Sequence, residues 1–228
     1  MKMKWLFTSA ALLAIPLYVF AASGIESDST KAMPYQRGFQ FEPGIYLTIN
    51  DWKHNNPIPK EAIITEFDPG APYFYLQVLH KRWLHYRDAN GTVNKIECEK
   101  IFGYSVDNVV YTKHHLKIAI IGAICHFTSV LYQIDDPYLT GFAFAVMDIS
   151  MSNQSGIHKQ EKFRQYIINF ETGAIHRFTE RALKKLISTD IHLYQEYKQF
   201  KGRKRDRMFI FLKKYNERHP VYFAQADF

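Results

Sequence analysis

The hydrophobic period changes once along this chain, at Thr179, and that change limits the possible folds more than any other feature. Before it, apolar and aromatic residues come in short runs separated by Gly-, Asn- and Pro-bearing turns, which is the habit of strands. After it, Ala182, Leu183, Leu186 and Ile187 fall on one helical stripe behind Thr179 as N-cap. Asp190 can cap a second helix carrying Leu193, Tyr194 and Tyr197, broken by Gly202. A third, over about 205–217, sets Met208, Phe211, Leu212 and Tyr215 at core spacing and ends before His219-Pro220. Arg218 and His219 are expected to tie its end to the sheet. The pattern predicts an α+β fold: an antiparallel β-meander, as a sheet or partly closed barrel, followed by three C-terminal helices. One domain is expected over 39–228, strand-rich over 44–178 and helical over 179–218.

Within the strand-rich part, 45–47 reads as a short strand. Thr48 caps a brief helix through Trp52 and Lys53, with Asp51 at the third position of a capping box, and Asn55-Asn56-Pro57 stops it. The apolar run 73–79 and the segment 83–87 read as extended up to Asp88-Ala89-Asn90-Gly91, where Asn-Gly suits a hairpin turn. Residues 92–102 read as one strand, with Ile96 and Cys98 on one face and Glu97 and Glu99 on the other. A turn at Asp107-Asn108 leads to a strand over 109–113. The long apolar stretch 116–132 is two strands, or one bent at Gly122. A buried strand over 142–149, a polar loop over 151–159 and a hairpin of 164–170 with 174–178 complete the meander.

The first residues read as an address. Lys2 and Lys4 precede an uncharged stretch over 5–20, and Ala21, Ala22, Ser23 and Gly24 follow at once, the three parts of a secretory signal peptide. Cleavage is expected after Ala21, with Ala22 or Ser23 as alternatives. The apolar stretch is short of the roughly 20 residues that span a bilayer, so no transmembrane segment is expected in the mature chain. Residues 22–38 lack an apolar period and read as a flexible tether. Removing the leader takes away two Lys, so the formal charge falls from +7 to +5. Export also changes the meaning of Cys98 and Cys125. They are either a disulfide, which would contribute about 3.5 kcal/mol on the chain-entropy model, or two buried thiols. Only two Cys are present, so a disulfide-dense scaffold and a four-thiolate zinc site are both excluded.

Five segments belong together: GIYLTINDWKHNNP at 44–57, IFGYSVDNVVY at 101–111, IIGAICHF at 120–127, INFETGAIHRFT at 168–179 and KYNERHPVYF at 214–223. As a set they resemble a family of uncharacterised exported proteins of Bacteroidetes bacteria, over nearly the whole mature chain. The resemblance implies export to the periplasm, cell surface or medium, and it brings no reaction, ligand or catalytic residue with it.

Searching the residues for chemistry leaves little. There is no Gly-x-Ser-x-Gly elbow, phosphate loop or dinucleotide fingerprint, and no cofactor is expected. His114-His115 are adjacent and His80 is an odd step from His85, so in strands each pair points to opposite faces and no metal site is expected. Glu97 and Glu99, sharing a strand face about 7 Å apart, are the candidate acids of a carboxylate-based hydrolase of envelope or dietary glycan. The plainer reading of the same pair is a solvated strand edge. Lys201, Arg203, Lys204, Arg205 and Arg207 are the densest positive charge and the candidate anion-binding site, for an anionic glycan or lipid headgroup. Nucleic acid is not an expected partner of an exported chain. The leading expectation is therefore an exported envelope protein acting as a non-catalytic binding or assembly module.

Overall fold

A computed structural model describes residues 32–133 and 160–224 of the 228-residue chain. The expected signal peptide over 1–21, the strand expected over 142–149 and the loop expected over 151–159 lie outside the described residues. The fold is α+β. In chain order the elements are β1 (Ala32–Pro34), β2 (Gly44–Tyr46), α1 (Ile49–Lys53), β3 (Ile63–Ile64), α2 (Phe74–His80), β4 (Trp83–Arg87), β5 (Val93–Glu97), β6 (Gly103–Val106), β7 (Val109–Thr112), β8 (Ile118–Ile120), β9 (Ile124–Gln133), β10 (Gln160–Asn169), β11 (Ile175–Arg177), α3 (Glu180–Ile187), α4 (Ile191–Gln199), α5 (Lys204–Arg218) and β12 (Tyr222–Ala224). The strands form four antiparallel sheets, ordered β11-β10-β9-β8, β2-β6-β7, β3-β4-β5 and β1-β12. Among the described residues no sheet closes into a barrel.

Strand alternation stacks these sheets into layers. In the four-stranded sheet, Ile124 and Ile167 face α3, α4 and α5, where they meet Leu183, Leu193 and Phe211. Their neighbours Cys125 and Ile168 face the opposite way, into an aromatic core around Trp52 and Phe223. Beyond that core lies the β2-β6-β7 sheet, which repeats the arrangement. Tyr46 and Val110 point into the aromatic core, while Ile45 and Tyr104 join α2 and Leu84 in a third cluster. Both sheets are thus buried on two faces. A bridge between Tyr111 and Lys117 carries the chain from β7 into β8 and links one sheet to the next.

Local chemistry sets most of the element ends. Thr48 and Asp51 form the full capping box of α1: Asp51 N donates to Thr48 Oγ1 at 3.2 Å, and Thr48 N donates to Asp51 Oδ2 at 2.7 Å. Thr179 Oγ1 and Asp190 Oδ1 accept from Ala182 N and Leu193 N to start α3 and α4. Gly122 separates β8 from β9 for a packing reason, since a Cβ there would collide with the side chain of Asn216. That side chain accepts from Ile124 N at 2.8 Å and donates to Ile124 O at 2.9 Å, so α5 supplies the bonds that a neighbouring strand would otherwise make.

Four expectations are corrected. Residues 73–79 hold a helix, because Phe74 with Val78 and Tyr75 with Leu79 bury an i, i+4 stripe against Leu84 and Tyr104. The segment 92–102 is not one strand: β5 ends at Glu97, Cys98–Lys100 make a 3-10 turn, and β6 starts at Gly103. Residues 32–34, placed in the tether, form β1 and pair with β12. Arg218 and His219 tie α5 to the start of α4 and not to the sheet, through Asp190 at 3.2 and 3.5 Å.

Candidate functional site

The sequence-predicted residues do not assemble into a site. Glu97 closes β5 and pairs with Lys100 at 3.0 Å, whereas Glu99 sits in the following turn and pairs with Lys113 at 2.6 Å. The turn at Cys98 removes the shared strand face, and Lys113 holds the Glu99 carboxyl below the usual carboxylate range. Glu99 is also largely exposed, and no described residue desolvates it enough to keep a proton on the acid. Cys98 and Cys125 are free and buried in different cores, so the disulfide considered above is not formed. Burial pushes the Cys125 thiol up to about 12, which leaves it inert as a nucleophile near neutral pH.

The basic cluster is divided in the same way. Lys201 and Arg203 are exposed ahead of α5. Arg207 turns inward: its Nη2 donates to Glu180 at 3.0 Å and its guanidinium lies 4.7 Å from the Tyr197 ring centre. It braces α5 against α3 and α4, and so it does not join an anion site with Lys201 and Arg203. Among the described residues no group of three His, Cys, Asp or Glu is gathered where a metal ion could bind, and no helix is long and apolar enough to cross a membrane.

What the fold does build is a recess of about 460 Å³ between the segment 56–62 and the β4–β5 turn. Its walls are mainly apolar, with Leu47, Pro57, Ile58, Pro59 and Tyr86 around it. Two prolines hold the wall extended, and Ile58 is fixed by reciprocal backbone bonds to Ile45 at 2.8 and 2.9 Å. Gly44 permits that approach: its φ is +151°, and a Cβ there would strike the Ile58 carbonyl. At the rim stand Asp51, Arg87 and Asp88. Both acids are already engaged. Asp51 accepts from Thr48, and Asp88 accepts from Asn90 N, Thr92 N and Asn94 Nδ2, each at 2.9 Å. Those bonds, the Thr92 amide first and Asn94 next, hold the Asp88 carboxyl below its ordinary range. Asp88 therefore stays ionised near neutrality and can orient a ligand without exchanging protons with it.

Sequence reading missed the recess because its walls come from three distant segments, 45–47, 56–62 and 86–89. The Pro-Ile-Pro run at 57–59 was the available signal, since prolines flanking an apolar residue keep it extended beside a strand. No known protein family, curated protein or solved structure matches the chain.

Proposed function

We propose that this chain is an exported cell-envelope protein that acts by binding, with the recess between 56–62 and the β4–β5 turn as its ligand site. One observation carries the reading: both carboxylates at the rim are held by internal hydrogen bonds, Asp51 by Thr48 and Asp88 by Asn90, Thr92 and Asn94, so the site offers shape and fixed charge. The leader-like N-terminus and the resemblance to exported Bacteroidetes proteins support the location. An apolar wall beside one cation and two anions suits a neutral or zwitterionic envelope fragment, such as a short peptide or glycopeptide.

Titrating solubilised envelope fragments into the isotopically labelled mature chain tests this. Amide shifts should cluster at 45–62 and 86–89, and the fragments should be recovered intact. Cleavage of peptidoglycan or glycan that is lost in Glu97→Gln would overturn the proposal, as would shifts confined to other surfaces.

A further inference from the structure

We infer that the outer face of the β3-β4-β5 sheet docks on an anionic phospholipid membrane. Alternation sends Leu84 into the core and leaves Trp83, His85 and Arg87 on the other side of β4. Register sets Glu97, Lys95 and Val93 directly opposite those three, and Ile64 of β3 opposite His85. One continuous face results, and no other element among the described residues covers it: Val93 is 54% exposed and Ile64 41%.

The charge on this face is one-sided. Glu97 is matched by Lys100 at 3.0 Å, and Lys81 by Glu66 at 2.7 Å. Arg82, Arg87 and Lys95 have no carboxylate partner among the described residues. Two of these cations are held against the indole of Trp83, Lys95 at 4.2 Å and Arg82 at 5.4 Å from the ring centre. Beside them opens a depression of about 290 Å³, bordered by Ile64, Glu66, Lys81, Arg82, Trp83 and His85, in which Lys81 neutralises Glu66 and Arg82 is left for a phosphate-bearing headgroup.

The exposed aliphatic residues decide the kind of partner. A soluble polyanion would satisfy the cations and gain nothing from Ile64 and Val93. A bilayer surface takes both at once, with anionic headgroups against Arg and Lys, and Trp and aliphatic side chains at the polar–apolar boundary. The face lies outside the five-cation cluster at 201–207 and owes nothing to it.

Vesicle co-sedimentation of the chain from Ala22 onward tests the inference, using phosphatidylcholine vesicles with and without phosphatidylglycerol. Binding should require phosphatidylglycerol, weaken as salt rises, and fall at least about tenfold in the double variant Arg82→Glu/Lys95→Glu. A second pair, Ile64→Asn/Val93→Asn, should weaken binding with the salt dependence unchanged, and circular dichroism of all variants should match the parent. Reversal at Lys201 and Arg203 should have no effect. Absence of binding to phosphatidylglycerol vesicles at low salt would overturn the inference, as would equal binding to phosphatidylcholine alone or loss only on reversal at 201 and 203. Complete displacement by soluble glycerol phosphate, or tighter binding to an acidic polysaccharide than to vesicles, would also overturn it, since either points to a free anion or polymer in place of a surface.

Discussion

His126 projects from β9 toward α5 with the rings of Phe178 and Phe209 at 5.3 and 5.1 Å, and its Nε2 is buried without a hydrogen-bond partner among the described residues. Burial holds the imidazole below its ordinary 6.5, because the charged form would have to give up water and gain only ring edges. His115 is shifted the same way by burial. It stacks on Tyr111 at 4.9 Å and shares a hydrogen bond with the Tyr104 hydroxyl. His114, desolvated and beside Lys113, follows them. A histidine whose folded value is depressed takes up its proton in the unfolded chain first. Stability from these three is therefore complete above 6.5 and is lost as pH falls toward their folded values. Replacing His126 with Leu removes one such group together with an unpaired buried nitrogen. Urea denaturation of H126L should show a higher midpoint than the parent at about pH 5.5 and a smaller gain at about pH 7.5. A gain independent of pH would mean that His126 is not the group that titrates.

At the scale of elements, the three C-terminal helices carry their own instructions. Thr179→Ala removes the acceptor for Ala182 N and should cost about 1 kcal/mol in a denaturation experiment. Asp190 has two duties, as cap of α4 and as partner of Arg218 on α5. Asp190→Asn keeps an N-cap oxygen and should be milder than Asp190→Ala, which loses both. Such helices are legible in sequence because cap and stripe lie within a few residues of each other. The segment 73–79 is not, since it is apolar on nearly every side and its period is hidden; only packing against Leu84 and Tyr104 settles it. The break at Cys98 is likewise tertiary. Its amide donates to Arg82 O at 3.1 Å and its side chain is buried beside α2, which bends the chain before Glu99 can follow Glu97 along the strand. Sites suffered most for the same reason. A run of charge at 201–207 is conspicuous in sequence yet is split by the inward turn of Arg207. The cations at 82 and 95 are far apart in sequence, and they meet over Trp83 only through the register of β4 and β5.

Across the whole molecule, the aromatic core ties the two ends of the described chain together. Phe223 of β12 lies within 5.2–5.8 Å, ring centre to ring centre, of Tyr35, Phe39, Phe41, Trp52 and Phe170. One side chain near the C-terminus thereby fastens the N-terminal segment, α1 and the end of β10. Phe223→Ala should cost about 3–5 kcal/mol, a large share of the roughly 5–15 kcal/mol that holds a domain folded. Ile175→Ala, at a position 53% exposed on the edge strand β11, should stay within about 0.5 kcal/mol. The three cores also share their walls, because adjacent residues of one strand enter different clusters: Ile45 and Tyr46, Ile124 and Cys125, Ile167 and Ile168. Loosening the aromatic core must then disturb the sheets that bound the other two. Unfolding of the Phe223→Ala variant should accordingly remain a single transition, followed alike by Trp fluorescence and by far-ultraviolet circular dichroism, with only its midpoint lowered. Two separated transitions, the fluorescence change preceding the loss of helix, would show that α3, α4 and α5 with their sheet face form a unit able to stand without the aromatic core.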